Sequence, residues 1–356
     1  MRLLHLCGIL LGILAVFLGL AFYSYRAVAR KQARELHQKL ASIPDPAANT
    51  AYPRVFFQRG VNFTAEAPAF YGSDGAVEML KKLPDSGVNS IALVPYGFAS
   101  VKEPKIRGWN TRWEGDEGIT QLARVAHSLG MKVLLKPQLW MHGGNPADIN
   151  FPEPGQNAQW FTEYKPFLEH YAQLAVAIHA DVFCIGVELE KMSANEAEWR
   201  KLIHRAREIY PGPLTYAANF GPEFENIKFW DALDYIGIDE YYPLPDDLST
   251  KEVAQKISAV QSRFQKPVLF TEAGFPSVQS ANQTPWDEPS RPLDLGLQAR
   301  SYQVLLQTFY DKPWFAGIYW WKVGTNGYGG PQDASHTPWK KPAMDVVRGW
   351  YRSGKR

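Results

Sequence analysis

The sequence predicts a (β/α)₈ barrel, the TIM barrel fold, preceded by an N-terminal apolar helix. Three observations predict it: eight short apolar strands, amphipathic helical segments that alternate with them, and glycine residues between helix and strand. An open doubly wound sheet is the alternative, but it requires a glycine-rich turn after its first strand. The corresponding segment, GVNFTAEAP at 60–68, contains no such turn.

The predicted strands are apolar runs that end in polar or aromatic residues. They are Phe56–Phe63, Asn89–Pro95, Lys132–Gln138, Val182–Glu188, Leu214–Asn219, Tyr235–Asp239, Val268–Glu272 and Gly317–Trp321. The segments between them carry apolar residues at helical spacing. They are Gly75–Leu83, Glu117–Leu129, Ala158–Ile178, Glu196–Tyr210, Lys251–Phe264 and Gln298–Tyr310. The connections DSGVNS at 85–90 and SLGMKV at 128–133 place glycine where a helix C-cap needs it.

An almost unbroken apolar run extends from Leu3 to Tyr23. Its length fits a membrane-spanning helix or a long signal-peptide core. A small-residue stretch at 27–29 resembles a cleavage site, whereas the basic residues around it favour a cytoplasmic position for that flank. We therefore predict a transmembrane anchor or signal peptide at 1–28, a polar juxtamembrane segment and linker at 29–53, and the barrel at 54–353.

Composition narrows the class of function. The chain has 38 Lys and Arg against 36 Asp and Glu, a net charge of +2, which does not favour nucleic acid as a partner. Neither CxxC nor HExxH occurs and the 8 histidines are scattered, so no metal site is expected. The 12 Trp and 17 Tyr suit a sugar-binding cleft, because a sugar ring stacks on an aromatic face, although a large barrel also buries many aromatics.

Two predicted strands, within DVFCIGVELEKM at 181–192 and KPVLFTEAGFPS at 266–277, run into a glutamate. A carboxylate at the end of an apolar strand is costly to desolvate unless it has partners or a chemical role. On the fourth and seventh strands of a barrel, Glu188 and Glu272 would face each other across the mouth. Glycoside hydrolysis needs two such groups, about 5–5.5 Å apart in retaining enzymes. The alternatives are structural salt bridges, or Glu190 in place of Glu188.

The motifs around these glutamates resemble those of a known family. GxE on the fourth strand, TEAGF on the seventh and YWW on the eighth look like the clan of retaining glycosidases with catalytic glutamates on strands four and seven. Within the clan, GVELE at 186–190, IGIDEYYPL at 236–244, LLKPQ at 134–138 and TEAGFPS at 271–277 are similar to glycoside hydrolase family 113. The resemblance spans nearly all of residues 56–350. It implies hydrolysis of β-1,4-linked mannan or manno-oligosaccharides without a cofactor.

The resemblance also implies roles for residues at matching positions. Glu188 matches the acid/base and Glu272 the nucleophile. The Tyr241-Tyr242 pair matches the position whose hydroxyl orients the nucleophile. Trp320 or Trp321 matches the floor under the reacting sugar, and the other predicted substrate contacts are Asn62, Lys136, Gln138, Asn219 and Asp239.

Two positions leave the prediction open. Lys136 is explained as well by a pairing with a structural acid such as Asp239 as by contact with sugar, because a buried lysine needs a charged partner. Val187 stands where much of the clan has an asparagine that binds the sugar 2-hydroxyl, so the mannan assignment rests on the family likeness alone. The alternatives are hydrolysis of another β-linked hexose glycan and non-catalytic glycan binding at the cell surface.

Loops after the strands add two expectations. The aromatic loops at 101–114 and 140–160 are predicted walls of the cleft. The glycine-rich loop at 325–339 lacks Lys and Arg, which disfavours a phosphate-dependent barrel enzyme. With the apolar run, we expect a membrane-anchored enzyme whose catalytic domain lies outside the cytoplasm, or a secreted or periplasmic one after signal cleavage. Beyond the glycan substrate and the membrane, no partner is inferred.

Overall fold

The computed structural model describes Tyr52 and residues 55–354. The predicted anchor or signal peptide at 1–28 and all but one residue of the linker at 29–53 lie outside the described residues. Within the part of the chain that is described, no helix has both the length and the apolar character needed to cross a membrane.

The described residues form ten strands, eight of which close into a barrel. The strands are β1 (Gln58–Thr64), β2 (Ser90–Leu93), β3 (Tyr96–Phe98), β4 (Lys132–Leu135), β5 (Gln138–Trp140), β6 (Val182–Val187), β7 (Leu214–Asn219), β8 (Ile236–Glu240), β9 (Val268–Ala273) and β10 (Phe315–Gly324). All barrel pairs are parallel, in the order β1-β10-β9-β8-β7-β6-β4-β2, whereas β3 and β5 form a separate two-stranded sheet. The predicted (β/α)₈ fold is therefore confirmed.

Helices follow the strands and cover the outside of the barrel. They are α1 (Asp74–Leu80), α2 (Asp116–Ser128), α3 (Gln156–Ala177), α4 (Glu190–Ser193), α5 (Glu196–Ile209), α6 (Pro222–Asn226), α7 (Lys251–Phe264), α8 (Leu295–Phe309) and α9 (Pro342–Tyr351). Short 3₁₀ turns occur at Pro84–Ser86, Pro146–Asp148 and Trp230–Ala232. The helices predicted from apolar spacing agree with these bounds to within three residues at each end.

One predicted strand is divided in the structure. The run Lys132–Gln138 was expected to be continuous, but β4 ends at Leu135 and β5 begins at Gln138. Pro137 lies in the gap, and proline cannot donate a backbone hydrogen bond to a sheet ladder. The break separates the barrel from the β3–β5 sheet, which projects beyond the barrel mouth.

The side chains inside the barrel are mainly aromatic and apolar toward its N-terminal end and polar at its mouth. Tyr235 and Tyr319 belong to the buried interior cluster, and the Tyr319 hydroxyl donates to Gln58 Oε1 at 2.7 Å. A Cβ at Gly60 would lie 2.3 Å from the Tyr319 ring, so only glycine fits beside it. Polar side chains occupy the level above these tyrosines, at the carboxyl ends of the strands where barrel enzymes build their sites.

Candidate active site

Glu188 and Glu272 both lie at the carboxyl ends of barrel strands, and each follows an irregularity in strand pairing. The pairing of β6 with β7 shifts just before Val187, the residue that precedes Glu188. The pairing of β9 with β8 shifts between Phe270 and Glu272. An extra residue in one strand of a pair re-aims the side chains that follow it. These two shifts therefore help to set the direction of both glutamates.

The Glu272 carboxylate accepts hydrogen bonds from three side chains. Its Oε1 forms an ion pair with Lys136 Nζ and accepts from Gln138 Nε2 at 2.8 Å. Its Oε2 accepts from the Tyr241 hydroxyl at 2.9 Å. Glu272 is 6% exposed, so these bonds replace most of the water that an ionised carboxylate would otherwise hold. The arrangement stabilises the charged form and fixes both oxygens.

Lys136 supplies the positive charge at the base of the site. Its side chain is fully buried. Burial opposes the charge, but the attraction of Glu272 and then Asp239 outweighs it and raises the pKa of Lys136. Burial, followed by repulsion from Glu272, raises the pKa of Asp239 well above its usual range. Lys136 thus pairs with Glu272, and the Thr271 hydroxyl donates to Asp239 Oδ1 at 2.7 Å.

The Glu188 carboxyl has different surroundings. Within the described residues it receives no hydrogen bond from another side chain, and it is partly exposed at the mouth. Burial, then the charges of Glu272 and Glu223, raise the pKa of Glu188 to about 8. At neutral pH the side chain therefore carries a proton that it can donate.

The backbone at Glu188 adopts a left-handed conformation, with φ of 49°, that few side chains favour. Its N–H donates to the Ala217 carbonyl at 2.8 Å. The next N–H, that of Leu189, donates to the Tyr216 hydroxyl at 2.9 Å. That hydroxyl in turn donates to Glu223 Oε1 at 2.6 Å. These bonds hold the turn in place.

Tyr216 and Glu223 are absent from the predicted site residues. Glu223 is 2% exposed, its Oε2 accepts from the Asn219 N–H at 2.7 Å, and burial raises its pKa to about 8. The position of Glu223, four residues beyond a strand end and in the first turn of α6, is a weak sequence signal for a site residue. The signal is weak because solvent-exposed acids are also common at helix N-termini.

Comparisons with known proteins identify the family of this chain. A family model described as Glycoside Hydrolase Family 113 matches residues 62–340. The chain belongs to glycoside hydrolase family 113. It is therefore a glycoside hydrolase, as the sequence motifs predict. No curated protein sequence matches the chain.

Solved structures of family 113 members are similar along nearly their whole length. A β-mannanase from Alicyclobacillus acidocaldarius, in complex with ManMIm, is 30% identical, with a TM-score of 0.77 over 86% of this chain and 99% of that one. A β-1,4-mannanase is 27% identical, with a TM-score of 0.77 over 84% and 99%. A β-D-glucuronidase from Dictyoglomus thermophilum, 13% identical with a TM-score of 0.59 over 83% and 51%, shares the fold alone.

Of the two adjacent tyrosines in this family 113 chain, only Tyr241 contacts Glu272. The Tyr242 hydroxyl donates to Glu225 Oε1 at 2.8 Å, on the helix layer. Strand alternation explains the difference, because Tyr241 is two residues beyond Asp239, which faces the barrel interior. The alternation of side chains along the strand could therefore have distinguished Tyr241 from Tyr242 in the sequence.

The two adjacent tryptophans, Trp320 and Trp321, likewise point to different surroundings. Trp320 is fully buried and stacks on Tyr302 of α8, with ring centroids 3.8 Å apart. Trp321 is partly exposed, and its ring lies 5.4 Å from Lys136 Nζ and 5.5 Å from Lys322 Nζ. Trp321 therefore has the ring that a sugar at the site can reach, and Trp320 ties β10 to the helix layer.

The two predicted asparagines also differ in exposure. Asn62 is fully buried and donates through Nδ2 to the Thr271 carbonyl at 3.1 Å and the Tyr319 carbonyl at 3.3 Å, so it braces three strands. Asn219 ends β7 and is partly exposed at the mouth. Among the described residues, no group of three or more His, Cys, Asp or Glu is arranged to hold a metal ion.

Proposed function

We propose that this chain hydrolyses β-1,4-linked mannan or manno-oligosaccharides with retention of configuration, using Glu188 as acid/base and Glu272 as nucleophile. The observation that carries the proposal is the contrast between the two carboxyls. Three donors stabilise the charged form of Glu272, whereas burial raises the pKa of Glu188 to about 8. Environments that push two carboxyls toward opposite protonation states assign the acid and its partner.

In the first step, Glu188 donates its proton to the glycosidic oxygen while a Glu272 oxygen attacks the anomeric carbon. The bond between that carbon and the glycosidic oxygen breaks, the leaving sugar departs with the proton, and a glycosyl ester forms on Glu272. Lys136, Gln138 and Tyr241 hold the carboxylate in position for the attack.

In the second step, water attacks the anomeric carbon from the side that the leaving group vacated. Glu188, now ionised, takes a proton from that water, and the ester bond to Glu272 breaks. Both carboxyls return to their starting states, and the released sugar keeps its original anomeric configuration.

Mannan is the substrate that the relatives support. The family 113 structures at 27% and 30% identity, each covered over 99% of its length, are described as a β-1,4-mannanase and a β-mannanase. Val187 contributes no hydrogen bond to a 2-hydroxyl, the group that distinguishes mannose from glucose. Partly exposed Asn219 is a candidate for that contact. Hydrolysis of another β-linked hexose glycan is the alternative.

The test is hydrolysis of β-1,4-manno-oligosaccharides and matched gluco-oligosaccharides by the full chain, with Glu272→Ala as control. Proton NMR during the first minutes identifies the anomer released. We expect β-anomer from the manno series and no product from the variant. Initial α-anomer would refute retention, activity on the gluco series alone would refute mannan, and turnover by Glu272→Ala would refute the nucleophile.

A further inference from the structure

The β3–β5 sheet forms a path that leads away from the catalytic carboxyls. Tyr96 pairs with Gln138 and Phe98 pairs with Trp140, one step further along the strands. Side chains two residues apart in a strand share a face and lie about 6.6 Å apart, at about 3.3 Å per residue. Trp140 therefore stands about one such step beyond Gln138, the residue that contacts Glu272.

A cavity of about 280 Å³ opens along this path. Three large aromatic side chains on its wall are unusually exposed: Phe98 at 42%, Trp113 at 45% and Trp140 at 46%. Exposed aromatic faces of this size are costly in water and mark a binding surface. The other side chains that line it are Tyr96, Thr111 and Glu114.

The aromatic side chains sit on a rigid support. The Phe98 N–H donates to the Arg107 carbonyl at 2.8 Å, and the Arg107 N–H donates back at 2.9 Å. On the opposite face of β3, a Cβ at Gly97 would lie 2.7 Å from Phe167 of α3, so the sheet packs tightly on the helix layer. A surface ordered before binding loses little entropy when a ligand arrives.

Polar groups of Tyr96 and Glu114 line the cavity, and Tyr96 pairs with Gln138, the residue that contacts Glu272. Burial, and then the charges of Glu272 and Glu114, raise the pKa of Tyr96. Glu114 accepts the Tyr96 backbone N–H, and burial raises the pKa of Glu114 to about 7. Aromatic faces beside hydroxyl and carboxyl groups match the C–H face and the hydroxyl groups of a sugar.

We propose that Phe98, Trp113 and Trp140 form a distal subsite on which one hexose unit of the glycan chain stacks, away from the bond that is cleaved. This inference rests on the proposed function and deepens it, because it makes the enzyme sensitive to the length of its substrate. A chain that reaches from the catalytic carboxyls to the platform binds through both, whereas a shorter one binds at the catalytic site alone.

The kinetic test compares kcat/KM of the full chain on manno-oligosaccharides from mannotriose to mannohexaose, for wild type, Trp113→Ala and Trp140→Ala. The matched control is Leu129→Ala, which removes a side chain 38% exposed at the opposite end of the barrel. We expect each tryptophan variant to lose about tenfold on mannohexaose, as for one lost aromatic contact, and about twofold or less on mannotriose. A loss that is equal at all lengths, or no loss, overturns the platform and leaves the proposed function standing.

A binding measurement tests the platform without turnover. Calorimetric titration of Glu272→Ala, with and without Trp140→Ala, uses mannohexaose and cellohexaose separately. We expect Trp140→Ala to weaken the binding of one of them about tenfold. Unchanged affinity for both, or no binding of either to the Glu272→Ala protein, overturns the platform. Wild-type protein that binds through Trp140 but hydrolyses neither glycan would instead count against the proposed function.

Discussion

Glu188 and Glu272 end apolar strands of the same barrel, yet the neighbours of the two carboxyls differ in kind. Glu272 accepts from an ammonium, an amide and a phenol, whereas the Glu188 carboxyl receives no side-chain hydrogen bond within the described residues. The bonds at Glu188 are made by the backbone on either side of it instead. One residue type thus acquires two chemical roles, because three side-chain donors contact Glu272 and, among the described residues, none contacts the Glu188 carboxyl.

The strongest loss of activity is expected when either glutamate is replaced, and the two variants should differ in how far kcat depends on the leaving group. Glu272→Ala should reduce kcat by at least about 10⁴-fold on every substrate, because no nucleophile remains. Glu188→Ala should be comparably slow on natural glycan but lose much less with a dinitrophenyl glycoside, whose leaving group needs no proton. Steady-state and burst kinetics on both substrates measure this. Glu190→Ala is the control, and equal responses of the two variants to the leaving group would contradict the assignment.

The next effect tests the donors around Glu272. Tyr241→Phe removes one charge-assisted hydrogen bond, so kcat should fall by about 10- to 100-fold, corresponding to about 1.5–3 kcal/mol. Tyr242→Phe is the matched control, because its hydroxyl binds Glu225 and not Glu272. Its kcat should stay near that of wild type. If both variants lose activity equally, the contact with Tyr241 is not what supports the nucleophile.

The pH profile tests the acid. A general acid works only while protonated, so kcat/KM should fall as pH rises through about 8, the value to which burial and nearby charges raise the pKa of Glu188. Burial raises the pKa of Glu223 to about 8 as well, so Glu223 is only partly ionised in this range, and Glu223→Gln should move this alkaline limb modestly to lower pH. Measurement of kcat/KM between about pH 5 and 10, for wild type and Glu223→Gln, locates this alkaline limb. A limb that stays in place or moves upward, or a wild-type rate that keeps rising above about pH 9, would be inconsistent with this role.

The smallest effect concerns the turn at Glu188. Tyr216→Phe leaves the Leu189 N–H without its acceptor, which should cost about 1–3 kcal/mol of unfolding free energy and lower kcat a few-fold. Tyr210→Phe is the matched control, because it removes a buried tyrosine bond of 2.6 Å to Ala180 at the other end of the barrel. It should lose stability but not activity. Urea unfolding measures the loss of stability in both variants, and kcat measures the loss of activity. An undiminished kcat in Tyr216→Phe would exclude a positioning role.

Local sequence patterns predicted the barrel and its strand ends, and they singled out Glu188 and Glu272 as the candidate catalytic residues. Apolar runs and helical spacing are local properties, and strands such as β7 and helices such as α7 occur at their predicted bounds. A carboxylate at the end of an apolar run is also a local signal, because its desolvation is costly wherever the strand lies. The sequence left the Tyr241-Tyr242 pair and the choice between Trp320 and Trp321 open, and the structure distinguished their members.

The contacts between side chains of the site depend on the tertiary fold. Lys136 and Gln138 reach Glu272 across more than 130 residues of chain, and no local pattern encodes that contact. The pairing shifts before Val187 and Glu272 interrupt the alternation on which a facing prediction depends. Glu223 resembles any surface acid until the packing around Tyr216 buries it. Burial, register and long-range pairing arise when the strands close into a barrel, and these set the charge state of each carboxyl.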